Sequence, residues 1–115
     1  FLGRAPVKPY SPKIHPFNWR GYIDYGCGAL GDMACHLMDA AFWGLELGAP
    51  TSVEAVQVNG LSSVAFPKSA IVRYQFPARG AKPPVTLTWY EGGLKPELPA
   101  SMAGRTLAGG GQLLI

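Results

Sequence analysis

The stretch Ser69-Ala70-Ile71-Val72-Arg73-Tyr74-Gln75-Phe76 decides how this chain is read. Its residues alternate, with Val72, Tyr74 and Phe76 on one face and Ile71, Arg73 and Gln75 on the other. A period of two is that of a strand, because successive side chains leave opposite faces of a pleated backbone. Val85 to Tyr90 repeats the pattern: Val85, Leu87 and Trp89 share one face, and Thr86, Thr88 and Tyr90 share the other. Gly80 and Pro83-Pro84 mark the connection between the two strands. Upstream, Val53 to Val58 reads as a third strand.

Before these strands the period changes. Ala29 to Leu47 has no proline, few β-branched residues and many Ala, Leu and Met, which predicts one helix. Gly48 is placed to close it in the left-handed conformation, and Pro50 stops it. One helix followed by three strands gives an α+β class: an open, mostly antiparallel β-sheet with one main helix packed on it. Pro6, Pro9, Pro12 and Pro16 make residues 1 to 20 an extended segment that must lie on something else. Glu91 to Gly111 is rich in Gly, Pro and small residues and predicts a mobile loop, and Gln112 to Ile115 resembles the start of a strand. No internal repeat is visible.

Composition sets the class limits. At 115 residues the chain is one domain, partial rather than complete if the sheet continues beyond it. Charged residues are 15% of it, against about 25% in an ordinary soluble domain. With 48% hydrophobic residues, part of the surface is expected to face a partner. Fifteen Gly and eleven Pro argue against a helix bundle. No apolar run reaches the roughly 18 residues a membrane span needs. The N-terminus lacks a basic stretch followed by an apolar one and lacks an initiator Met, so the chain reads as a piece of a longer one. The net charge of +3 is spread over scattered Lys and Arg, which argues against nucleic-acid binding. Cys27 and Cys35 have neither CxxC spacing nor a disulfide framework and are expected to be reduced, packed thiols.

The helix carries the ionisable residues. At about 100° per residue, Asp32, His36, Asp39 and Trp43 fall within about 60° of one another. The rest of the girth is apolar, so this stripe is expected to face a cleft or a partner. Asp32, placed in the first turn, would orient or charge-balance His36 one turn on, as a general base requires. A solvated helix face is the bland alternative, and Asp32, His36 and Asp39 would make an incomplete metal ligand set. Gly26-Cys27-Gly28-Ala29-Leu30-Gly31 matches GxGxxG, but a poor strand precedes it and Asp32 would sit beside the pyrophosphate, so a nucleotide site is not expected there. Cys35 and His36 are adjacent and point about 100° apart, which argues against a thiol dyad.

The segment Gly28-Ala29-Leu30-Gly31-Asp32-Met33-Ala34-Cys35-His36-Leu37-Met38-Asp39 resembles the G-x-x-x-D-x-x-x-H-x-x-D signature in the second domain of Gfo/Idh/MocA oxidoreductases. Pro16-Phe17-Asn18-Trp19-Arg20-Gly21, Ala49-Pro50-Thr51-Ser52-Val53-Glu54-Ala55 and Pro84-Val85-Thr86-Leu87-Thr88-Trp89-Tyr90-Glu91-Gly92-Gly93 resemble one bacterial branch of that family. In order, these segments span nearly the whole chain.

The resemblance implies residues 1–115 of a C-terminal substrate-binding α+β domain whose partner is the family's N-terminal Rossmann domain, absent here, which binds NAD or NADP. It implies that His36 acts as general acid/base on a sugar or polyol hydroxyl, that Asp32 orients His36 or binds a hydroxyl, and that Asp39 lies near the substrate. Asn18, Trp19 and Arg20 are further candidate substrate contacts, since polar and aromatic groups suit a sugar. The resemblance also implies a homo-oligomer formed through the sheet. The isolated piece is expected to lack dehydrogenase activity. Two other functions are weighed against this one: an NAD-dependent, redox-neutral glycoside hydrolase of the same family, and a non-catalytic sheet-based oligomerisation module.

Overall fold

A computed structural model of the chain describes residues 3–115; Phe1 and Leu2, at the head of the proline-rich segment, lie outside the described residues. Three strands form one antiparallel sheet in the order β1 (Ser52–Asn59), β2 (Ser69–Phe76), β3 (Val85–Glu91). The alternation of β2 and β3 sets their register. Val72 lies opposite Trp89, Tyr74 opposite Leu87 and Phe76 opposite Val85, so the apolar sets meet on one face. Ala55 pairs with Val72 and Gln57 with Ile71, which leaves Val56 as a bulge in β1. A bulge changes the parity of a strand. Here it brings Val58 onto the same face as Val53 and Ala55, so β1 also presents its small apolar residues to the helix side. The opposite face carries polar cross-strand pairs: Arg73 to Glu54 at 3.2 Å, Asn59 to Ser69 at 3.0 Å and Thr86 to Gln75 at 2.8 Å.

The expected single helix is two: α1 (Gly28–Leu37) and α2 (Asp39–Leu45), divided at Met38. Hydrogen bonds from Met38 N–H to Ala34 and from Phe42 N–H to the Met38 carbonyl keep the chain helical across the division. The break lies between two anchors: α1 meets the 3-10 turn at Asn18–Gly21, and α2 sets Phe42 edge-on against Phe76 with ring centres 5.4 Å apart. The end of α2 also differs from expectation. Glu46 (φ 54°) closes the helix in the left-handed conformation; Gly48 is left-handed too (φ 65°) but lies two residues beyond the closure. Its N–H bonds the Trp43 carbonyl, and the Leu47 N–H bonds the Phe42 carbonyl, the paired pattern of a Schellman cap. This turn carries Leu47 into the core at 1% exposure. Arg79, from the β2–β3 connection, ties that connection to the helix end by donating to the carbonyls of Leu45 (3.1 Å), Pro77 (2.9 Å) and Pro83 (2.7 Å).

The core is small: Leu47, Ala70, Phe76 and Trp89 are its buried hydrophobic residues among those described. The helices were expected to be buried on most sides, yet Gly28 is their one buried residue. The reason is geometric, since a three-stranded sheet covers a single side of them. The accessible surface is 8231 Å², whereas a compact monomer of 12.2 kDa exposes roughly 6,000 Å². The radius of gyration is 16.9 Å, against roughly 13 Å for a compact chain of this length. Gln112 to Ile115 forms no strand, and Lys95 bonds the Leu107 carbonyl within the tail. Cys27 and Cys35 are free, as expected, but exposed rather than packed. None of the helices among the described residues is long and apolar enough to cross a membrane.

Candidate functional site

The site is assembled where the chain enters α1. Residues 21–23 pair with the β1–β2 connection: Tyr22 bridges Ala65, the Phe66 N–H bonds the Gly21 carbonyl and the Ile23 N–H bonds the Val64 carbonyl. This fixes the Asn18–Gly21 turn against the start of α1. The three glycines of Gly26–Gly31 make the approach possible. A Cβ on Gly26 would lie 2.4 Å from the Arg20 carbonyl oxygen, and one on Gly31 would lie 2.7 Å from the Cys27 Cβ. Gly28 has φ +70°, and a Cβ there would lie 2.7 Å from the Phe66 ring. The GxGxxG spacing therefore records close packing.

The turn delivers Arg20 to Asp32. Arg20 Nε lies 3.1 Å from Asp32 Oδ2, with each side chain about one-third exposed. The guanidinium stacks over the rings of Trp19 (4.5 Å) and Phe17 (4.7 Å) and donates to the Phe17 carbonyl at 3.3 Å. Because α1 begins at Gly28, Asp32 opens the second helical turn rather than the first. The helix dipole fades within one turn, so Arg20 supplies the balancing charge for Asp32. The structure thus gives Asp32 to Arg20, and no hydrogen bond joins Asp32 to His36 among the described residues.

His36 is exposed on α1, one turn beyond Asp32. Asp39 is the first residue of α2, exposed, where the dipole favours its charge. It lines an open hollow of about 430 Å³ between the helices and the sheet, with Leu30, Ala34, Cys35, Met38, Phe42 and Tyr74. Burial pushes the Tyr74 hydroxyl above its usual range, and the Glu91 carboxylate adds to the effect. Trp43 continues the stripe at 83% exposure. Asn18 points elsewhere, donating to the Lys13 carbonyl at 3.1 Å. A second hollow, about 150 Å³, lies in the proline-rich segment beside Lys8, Tyr10 and Tyr25, and no residue of the helix stripe lines it.

Among the sequence candidates the structure joins Arg20 and Trp19, from the 3-10 turn, to Asp32 on α1, places His36 one turn beyond Asp32 on that helix, and turns Asn18 to Lys13 and Asp39 to the open hollow. Phe17 and Tyr74 were not foreseen. An arginine three residues after one aromatic and directly after another was the available signal for Phe17. Among the described residues no three His, Cys, Asp or Glu side chains gather as a metal ion would need. No curated protein matches the chain. The model of the Gfo/Idh/MocA oxidoreductase family, C-terminal alpha/beta domain, matches residues 1–75.

Proposed function

The chain belongs to the Gfo/Idh/MocA oxidoreductase family through its C-terminal alpha/beta domain, and from that premise we propose that it forms the substrate side of an NAD(P)-dependent oxidoreductase acting on a sugar or polyol CH–OH group. His36 takes the hydroxyl proton during oxidation and returns it during reduction. Asp32, with Arg20 behind it, bounds the same region. The observation that supports this reading is the placement of exposed His36 one helical turn from an ion-paired Asp32, at the family's motif positions. Dinucleotide binding falls to the family's cofactor domain, and proton transfer is the step these residues account for. The test is His36→Ala in the intact oxidoreductase. Loss of turnover by about 100-fold or more, with the substrate still bound, is expected. Turnover that survives the substitution overturns the reading, and substrate cleavage without net NADH accumulation would replace it with the glycosidase alternative.

The excess of exposed surface also supports an assembly role for the domain, with the sheet covered by a second copy or by the cofactor domain.

A further inference from the structure

We propose that Arg20 is a positioning residue that acts through Asp32, rather than a direct substrate contact; this rests on the reading of His36 and Asp32 given above. Three observations place it in that role. Its Nε is already spent on Asp32 Oδ2 at 3.1 Å. One terminal nitrogen is spent on the Phe17 carbonyl. Its guanidinium lies over the rings of Phe17 and Trp19, whose centres lie 4.7 and 4.5 Å from the guanidinium carbon.

A guanidinium fixed at two edges and stacked on aromatic faces has few rotamers left, so it serves as a rigid support rather than a mobile hand for substrate. Asp32 gains from this in orientation. The ion pair at Oδ2 restricts rotation of the carboxylate and leaves the other oxygen, Oδ1, to accept from a substrate hydroxyl. It also keeps Asp32 from rotating onto the imidazole one turn along α1, which leaves His36 available to take a proton. The sequence supplies the support as one unit, because Phe17, Trp19 and Arg20 share the turn that the β1–β2 connection holds against α1. An Arg-to-Lys change keeps the charge but loses both the planar stack and the fork.

The experiment measures kcat and KM separately in the intact oxidoreductase for Arg20→Ala, Arg20→Lys, Asp32→Asn and the double variant Arg20→Ala/Asp32→Asn. A positioning role predicts that Arg20→Ala lowers kcat by about 10- to 100-fold with KM changed less than about threefold. It also predicts that added guanidinium ion restores part of kcat, and that Arg20→Ala costs little once Asp32 is Asn. Should Arg20→Ala fail to fold, Arg20→Lys carries the test, with a smaller fall in kcat that again vanishes in the Asp32→Asn background. A raised KM with kcat intact, or losses that multiply in the double variant, overturns the positioning role. His36→Ala, run beside them, separates the two claims. If His36→Ala abolishes turnover while Arg20→Ala shows the KM pattern, the role of Arg20 alone fails; if His36→Ala leaves turnover intact, the functional reading fails first.

Discussion

Phe76→Ala tests how the helices are held to the sheet. Phe76 is 2% exposed at the end of β2, and its ring meets the edge of Phe42 from α2. Truncation to Ala removes about 100 Å² of buried apolar surface, worth about 2.5 kcal/mol at 25 cal/mol per Å². The lost edge-to-face pair adds about 1 kcal/mol. The sum, about 3.5 kcal/mol, falls in the 3–5 kcal/mol measured for buried aromatic truncations. A chain of this length has a stability of about 6–17 kcal/mol, and a core of four buried hydrophobic residues puts it at the low end. The variant therefore loses half or more of its stability. Urea unfolding followed by tryptophan fluorescence, in which buried Trp89 reports beside Trp19 and exposed Trp43, reads the change as a midpoint lowered by about 2 to 3 M. Val53→Ala on the same apolar face, 57% exposed, provides the contrast and moves the midpoint little. A Phe76→Ala midpoint within about 0.7 M of the parent would refute the packing of α2 on β2.

Gly28→Ala forces a side chain into the left-handed region and against the Phe66 ring, and is expected to cost about 2 kcal/mol or more, read as a fall in Tm. Arg79→Ala strips the donor from the Leu45 carbonyl at the end of α2 and from the Pro77 and Pro83 carbonyls of the β2–β3 connection, and is expected to cost about 2 kcal/mol in the same assay; an unchanged Tm would show that water replaces it without loss. Glu46→Gly removes a β-carbon from a left-handed position and is expected to raise Tm at neutral pH, despite the loss of the exposed Lys82 pair at 2.7 Å. Hydrogen bonding to Lys82 holds the Glu46 carboxyl below its usual 4.5. The pair's small contribution is therefore present above pH 4.5 and fades as pH falls through the lowered value, so Glu46→Gln should flatten that part of the stability–pH curve and no other.

The sheet was legible because its signal is local and repeated. Val72, Tyr74 and Phe76 had to meet Val85, Leu87 and Trp89 once the two strands were antiparallel neighbours, and they do so in direct register. The bulge at Val56 was not legible. The adjacent apolar residues Ala55 and Val56 interrupt the alternation of Val53 to Val58, but only pairing with β2 shows that one residue is extra. The division at Met38 likewise has no Gly or Pro to announce it; it follows from two anchors on either side of it that lie far apart in sequence. Glu46 displaced Gly48 as the closing residue because the position of Leu47 in the core decides where the helix must turn. At the site, the motif spacing singled out Asp32 and His36, yet spacing along one helix says nothing of a residue twelve positions upstream. Arg20 reaches Asp32 only because the β1–β2 connection pins residues 21–23.

That dependence ties the proposed chemistry to the fold. The turn bearing Phe17, Trp19 and Arg20 has no buried residue of its own and is held by backbone bonds to residues 64–66 and by glycines that admit its close approach to α1. Weakening any of these supports displaces the partner of Asp32 without touching Asp32 itself. The most sensitive point is Gly26, where an added Cβ would strike the Arg20 backbone at 2.4 Å. The physical consequence of a larger residue there is a shift of Arg20 away from α1, so the glycine spacing that imitates a nucleotide motif serves instead to keep an acid and its counter-ion in register.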